Sequence, residues 1–205
     1  MRHQIAAALA AAACVAISGM ATADQMEQVG VVEAVSQTAY GTSPNAGRTE
    51  MHQGDPVIHR ELIETSDQGG LLAKLADGSK LTLGADSKAQ IVAYGYRQGA
   101  IGDAIIALAA GSMRYVTGAM PKGHTIIYTP AASMVLTGTN VAISVDARGT
   151  THLVVDEGAV TVRSKTTGQD TEFKAGESVD ITRDGYTQTK AVVIGDPLVD
   201  HGFAM

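Results

Sequence analysis

From Met51 onward the chain is punctuated by turn glycines, at spacings of roughly ten residues after Gly138, and three of them follow an aspartate or glutamate. Gly54, Gly78, Gly111, Gly118, Gly138, Gly149, Gly158, Gly168, Gly176 and Gly185 mark the beat. Glycine supplies the positive φ that tight turns need, and the runs between these positions alternate apolar and polar residues in twos, as half-buried strands do. Leu71, Ala73 and Leu75 fall on one side of a pleat, with Lys74 and Ala76 on the other. After Asp77-Gly78, Leu81 and Leu83 resume the buried side opposite Lys80 and Thr82, so a hairpin is expected. Val141, Ile143 and Val145 oppose Ala142, Ser144 and Asp146; Leu153 with Val155, Val160 with Val162, and Val179 with Ile181 continue the rhythm. The expected fold is all-β, with about twelve to fifteen short strands in a solenoid-like or sandwich-like arrangement.

Two stretches depart from the rhythm. Asp103 to Ala110 has the alanine content and acidic first residue of a helix, yet its shortness and its strand-like neighbours favour a strand. Ser36 to Arg48 is polar, aperiodic and holds Gly41, Pro44 and Gly47, which predicts an exposed loop after one N-terminal strand. The expected organisation is an N-terminal strand and loop over 24–50, a β domain over 51–190 and a loose tail over 191–205.

The first 23 residues read as an export leader. Arg2 and His3 precede an uncharged stretch whose apolar heart, Ile5 to Ile17, is shorter than the roughly 20 residues a spanning helix needs. Ala21-Thr22-Ala23 supplies a cleavage pattern, placing the cut between Ala23 and Asp24. Cleavage there leaves 182 residues, and because Arg2 is lost the formal charge moves from −6 to −7. Cys14, the single cysteine, also leaves, which removes disulfides, thiolate metal sites and cysteine nucleophiles from consideration. An acidic chain repels phosphate backbones, so nucleic acid is excluded as a partner, and no second apolar stretch reaches spanning length. With no tryptophan and two phenylalanines, the core falls to Val, Ile, Leu, Ala and Met, and an aromatic sugar-binding platform is disfavoured.

Taken in order, Gly54-Asp55, Ile63-Glu64-Thr65, Leu75-Ala76-Asp77-Gly78-Ser79, Leu81-Thr82-Leu83-Gly84, Ser87, Gly111-Ser112-Met113-Arg114-Tyr115-Val116-Thr117-Gly118, Thr129-Pro130-Ala131, Gly138-Thr139, Asp156-Glu157-Gly158 and Ala175-Gly176-Glu177 resemble the FecR domain of bacterial envelope proteins. The similarity runs from about Gly54 to Tyr186. It implies a non-catalytic periplasmic β domain that works by binding another envelope protein or a ligand. The signalling members of that family carry a cytoplasmic sigma-restraining segment and a membrane helix ahead of the domain. Neither is expected here, so the chain resembles the stand-alone secreted subtype. Thr137 stands where the family commonly has an arginine, and a threonine lacks the forked donors that clamp a carboxylate.

The chemistry-bearing residues support no catalytic or metal site. Asp77 and Asp184 precede glycines and are explained as turn residues. His52, His59, His124, His152 and His201 show no H-x-H or H-E-x-x-H spacing, and neither a G-x-S-x-G elbow nor a phosphate-cradling loop is present. Catalytic, metal and cofactor residues are therefore expected to be none. Arg114, Tyr115 and Thr137 are the candidate interaction residues; Arg114 is also explained as a surface arginine covering apolar ground with its stem. The leading expectation is an exported interaction or ligand-sensing module. A surface-assembly component pairing through its sheet edges is the alternative, and an envelope glycan hydrolase, which needs a convergent carboxylate pair, the least favoured.

Overall fold

The computed structural model of the protein describes residues 27–96, 102–182 and 184–188. The expected leader with Cys14, its cleavage site and the C-terminal tail lie outside the described residues. Among the described residues strands follow one another without a helix: β1 (Gln28–Ser36), β2 (Ala39–Ser43), β3 (Gly47–Glu50), β4 (Pro56–Ile58), β5 (Leu62–Thr65), β6 (Gly70–Leu75), β7 (Lys80–Leu83) and β8 (Lys88–Tyr94). Three long strands come next, with one short strand among them: β9 (Ala104–Val116), β10 (Thr125–Tyr128), β11 (Ala132–Val145) and β12 (Thr151–Ser164). The described residues end with β13 (Asp170–Lys174), β14 (Ser178–Thr182) and β15 (Gly185–Gln188).

Hydrogen-bond register sorts these into two layers. One runs β4, β1, β6, β7, the second half of β9, the second half of β11, the first half of β12, β14 and β15. The other runs β3, β2, β5, β8, the first half of β9, β10, the first half of β11, the second half of β12 and β13. All described pairs are antiparallel except β9 with β10. The long strands therefore belong to both layers, and the reason is visible in their alternation. In β9 the buried positions are Ala104, Ile106 and Leu108, then Met113 and Tyr115; in β11 they are Ala132, Met134 and Leu136, then Val141, Ile143 and Val145. In β12 Thr151, Leu153 and Val155 give way to Val160, Val162 and Ser164. Each phase slip falls around a glycine with positive φ: Gly111 at 83°, Gly138 at 66° and Gly158 at 78°. A strand that bends sharply there and slips by one residue keeps presenting its apolar side to the same interior while passing from one layer to the other. The apolar side chains of both layers form one contiguous core.

A buried polar knot ties the β6–β7 turn to the rest. Asp77, 5% exposed, accepts at Oδ1 from the Ser79 amide (3.0 Å) and the Tyr94 hydroxyl (2.7 Å), and at Oδ2 from the Ser79 hydroxyl (2.6 Å) and the Met120 amide (3.1 Å). Its own amide donates to Tyr94 Oη, and the Ser79 hydroxyl accepts from Gly118. Gly118 lies so close that a Cβ there would sit 2.5 Å from the Asp77 carbonyl oxygen. Four donors on one carboxylate offset the desolvation of its charge.

The all-β expectation holds, with the described strands in one continuous hydrogen-bonded sheet whose layers share a core. Three expectations are corrected. Gly111, Gly138 and Gly158 do not reverse the chain; they are corners inside continuous strands. Ser36 to Arg48 is not an open loop but β2, a turn and β3, because Ala39 and Ser43 bury against β5 and the Arg48 guanidinium stacks 3.5 Å from the Tyr40 ring centroid. Asp77 is more than a turn former, since its carboxylate reaches across to β8 and to the segment after β9. The ambiguous stretch after Asp103 forms a strand, as favoured, and continues to Val116.

Candidate interaction face

Strands buried on one side only should show polar residues on the other. On the outer face of the layer containing β8, β9, β10, β11 and β12 one row departs from this. Register places Ala93, Ile105, Ile126, Val135 and Thr161 abreast across five strands. Their neighbours in sequence, Ile106, Ile127, Met134 and Val162, fill the core, so this row faces away from it. The adjacent row is Gln90, Ala107, Tyr128, Ser133 and Arg163. Tyr128 at 38% and Val92 at 39% are among the most exposed large apolar side chains described.

Among the described residues the charged side chains near this patch lie at its border, and several stand against an opposite charge. Asp103 and His124 meet at 2.8 Å at one end. Arg163 grips both carboxylate oxygens of Asp170, at 2.8 and 2.9 Å, and Lys174 approaches Glu172 at 3.8 Å along β13. On the far side Glu64 receives Lys88 at 3.0 Å and Arg48 at 3.6 Å. The Lys88 hydrogen bond holds the Glu64 carboxyl below its ordinary range, and the Arg163 hydrogen bond does the same for Asp170. An apolar row bordered by paired charges has the anatomy of a protein-binding surface.

The structure disperses the three candidate residues. Thr137, half-buried beside the Gly138 corner, faces Ala159 across β12 and lies on this same outward side. Arg114 is on the outer side of the opposite layer, between Thr82 and Ala142, with its guanidinium 2.5 Å from Asp156 and 2.9 Å from the Asn140 side-chain oxygen. Tyr115 is enclosed in the core at 0% exposure, which corrects its reading as a contact residue. Its hydroxyl is flanked by Ser79 and Thr125 without the geometry of a hydrogen bond to either, and burial pushes its pKa up to about 12. Ile105, Ile126 and Val135 went unremarked in the sequence, although Ala104-Ile105-Ile106-Ala107-Leu108 and Thr125-Ile126-Ile127-Tyr128 are apolar at both parities, the mark of a strand with two greasy faces.

One row on the other outer face has the order of a nucleophile, a base and an orienting acid. Ser144, His152 and Asp180 stand abreast, with His152 Nδ1 at 2.6 Å from Asp180 Oδ1. Among the described residues no hydrogen bond joins Ser144 to His152, and the backbone amides of these paired strands are engaged in the sheet ladders rather than free to hold an oxyanion. Among the described residues no group of three or more His, Cys, Asp or Glu could hold a metal ion.

Most of the corner-bearing strands and of the face lies within a part of the chain that matches a known family. Residues 61–161 match the family model described as FecR protein. This stretch is a FecR domain. It begins just before β5 and ends inside β12, and takes in Ile105, Ile126, Val135 and Thr137. Two crystal structures of a putative anti-sigma factor from Parabacteroides distasonis share the fold, each at 14% identity and a TM-score of 0.50 over 62% of this chain. The likeness spans 59% of the length of that protein. No curated protein matches the chain. In this FecR domain the layers are completed by strands outside the matched residues, β1 to β4 before it and β13 to β15 after it.

Proposed function

We propose that the protein is a non-catalytic, exported module of the periplasm that engages another envelope protein through the outer face of β8 to β12. The observation that carries this reading is the outward row Ala93, Ile105, Ile126, Val135 and Thr161, an apolar strip on an acidic molecule where water would otherwise be met by polar side chains. The leader-like first residues support export. Sheet-edge assembly is disfavoured at three of the four edges by what they carry: Arg48 and Glu50 on β3, Pro56 at the start of β4, and Asp170, Glu172 and Lys174 on β13.

A photo-crosslinking side chain placed at Val135 or Tyr128 in intact cells tests the reading, with the same probe at Ser144 on the opposite face as control. A discrete crosslinked product from the first two positions and none from the third is expected. Equal labelling from both faces, or none from either, would overturn it. N-terminal analysis of the periplasmic fraction should begin at Asp24; recovery of the intact chain in the cytoplasm alone would refute export.

A further inference from the structure

We propose that, in the absence of a partner, this face is covered by a second copy of the chain. The inference rests on reading the β8 to β12 face as a docking surface and adds the identity of one occupant. Three features of the patch point to a copy of itself. First, charge: the chain carries −6, so two copies repel over most of their surface. Several border charges of this patch already meet opposite charges within one molecule, at Arg163–Asp170, Lys174–Glu172 and Glu64 with Lys88 and Arg48. A partner of strong acidic or basic character would find little unpaired charge here to meet, whereas an equally weakly charged face would fit.

Second, shape. The patch is one side of a β-sheet layer, and two such sheets stack at about 10 Å, their strands within about 30° of alignment, with side chains interleaving. Ile126 lies at the middle of the row, flanked by Ile105 and Val135. A two-fold axis through that point brings Ile126 of each copy against the other and leaves the smaller Ala93 and Thr161 at the ends.

Third, area. Five strands at about 4.8 Å by three rows of outward residues give on the order of 500 Å² per copy, or about 1,000 Å² buried in total. That reaches the lower end of specific interfaces, so the dimer is weak and reversible, and a partner with a better fit displaces it.

Sedimentation velocity on the protein purified as the cell produces it, across low to high micromolar concentration, provides the test. The unaltered chain should pass from monomer to dimer, and more readily as salt rises, because screening relieves the repulsion between acidic copies. Ile126→Glu and Ile126→Lys should each raise the dissociation constant about tenfold or more while keeping the circular dichroism and melting point of the parent. An equimolar mixture of the two should regain the dimer, since opposite charges then meet at the axis, a result that a misfolded variant cannot give. A monomer throughout the range, a dimer unmoved by either substitution, or a mixture that stays monomeric overturns the inference. A monomeric protein that still crosslinks an envelope partner from Val135 sinks only the self-association. A dimer whose crosslinks join it to nothing but itself sinks the partner reading and leaves this one standing.

Discussion

At the scale of single residues, two buried tyrosines on neighbouring strands make opposite demands. The Tyr94 hydroxyl donates to the Asp77 carboxylate and accepts from the Asp77 amide, so Tyr94→Phe strips a buried charge of one donor and a buried amide of its acceptor. The loss should be about 1–3 kcal/mol in urea unfolding. Tyr115 is as deeply enclosed, but its hydroxyl has no hydrogen-bond partner, and Tyr115→Phe should therefore be neutral or stabilising by the same measurement. A large loss at position 115 would mean that the Ser79 or Thr125 hydroxyl bonds it after all. Glu61 and Glu64 form a second contrasting pair. Burial raises the Glu61 carboxyl above its ordinary 4.5, despite hydrogen bonds from the Ile58 amide and the Ser43 hydroxyl. A raised folded pKa means that the native state holds the proton more tightly than the unfolded chain, so this group's contribution falls as pH rises from about 4.5 through the folded value. Glu61→Gln should match the parent near pH 4 and exceed it in stability at pH 7. For Glu64, whose pKa is lowered chiefly by the Lys88 hydrogen bond, the sign reverses: Glu64→Gln should lose slightly at pH 7 and draw level as pH falls below 4.5. Melting temperatures of the two variants against pH check both slopes, and slopes of the same sign would refute the assignment.

At the scale of elements, the corners decide the architecture. A Cβ at position 158 would lie 2.2 Å from the Gly138 carbonyl oxygen, and φ there is 78°, so Gly158→Ala combines a clash of two backbones with a left-handed conformation. It should cost more than about 4 kcal/mol. Gly168, in the β12–β13 turn, has a similar φ of 66° but open space around it, and Gly168→Ala should cost only about 1–2 kcal/mol. Comparable denaturation midpoints for the two would show that position 158 is an ordinary turn. The same contrast explains what was legible in the sequence. Glycine and alternation together announce strands, and Leu71 to Leu83 reads as a hairpin because Asp77-Gly78 lies between two runs whose parity is consistent with reversal. A corner also demands glycine, and it also shifts parity, so Gly111, Gly138 and Gly158 look like turns: no polar pair accompanies the first, but the four residues between Leu136 and Val141 and between Val155 and Val160 are as many as separate β6 from β7, so spacing alone does not tell a corner from a hairpin. The β2–β3 hairpin was hidden because its pairing rests on backbone register and one arginine–tyrosine stack, with hardly any large apolar residue to reveal it. The candidate face was half legible: apolar residues at both parities in β9 and β10 show that both sides are greasy, but only the parallel register of Ile105 beside Ile126 brings them into one strip.

At the scale of the molecule, the passage of β9, β11 and β12 through both layers has a consequence for how the fold comes apart. In a sandwich whose strands each belong to one sheet, the layers meet only through side chains, and one can loosen while the other persists. Here each of the three longest strands pairs in both layers, so melting one half strips the other of its central members. The interior gives no seam either, since the buried side chains of the two layers form a single cluster and the Phe173 ring of β13 meets Tyr186 of β15 edge-on at 6.2 Å where the two layers close together. Unfolding should therefore be one cooperative transition. Because the chain has no tryptophan, single reporters can be placed at will: Val31→Trp on β1 watches one layer and Val92→Trp on β8 the other, both at exposed positions where the larger ring is tolerated. The two fluorescence transitions in urea should coincide with each other and with the loss of far-ultraviolet dichroism. Separated midpoints would mean that the corners act as hinges between independently stable sheets, and the continuity of the three long strands would then contribute far less to stability than their shared pairing implies.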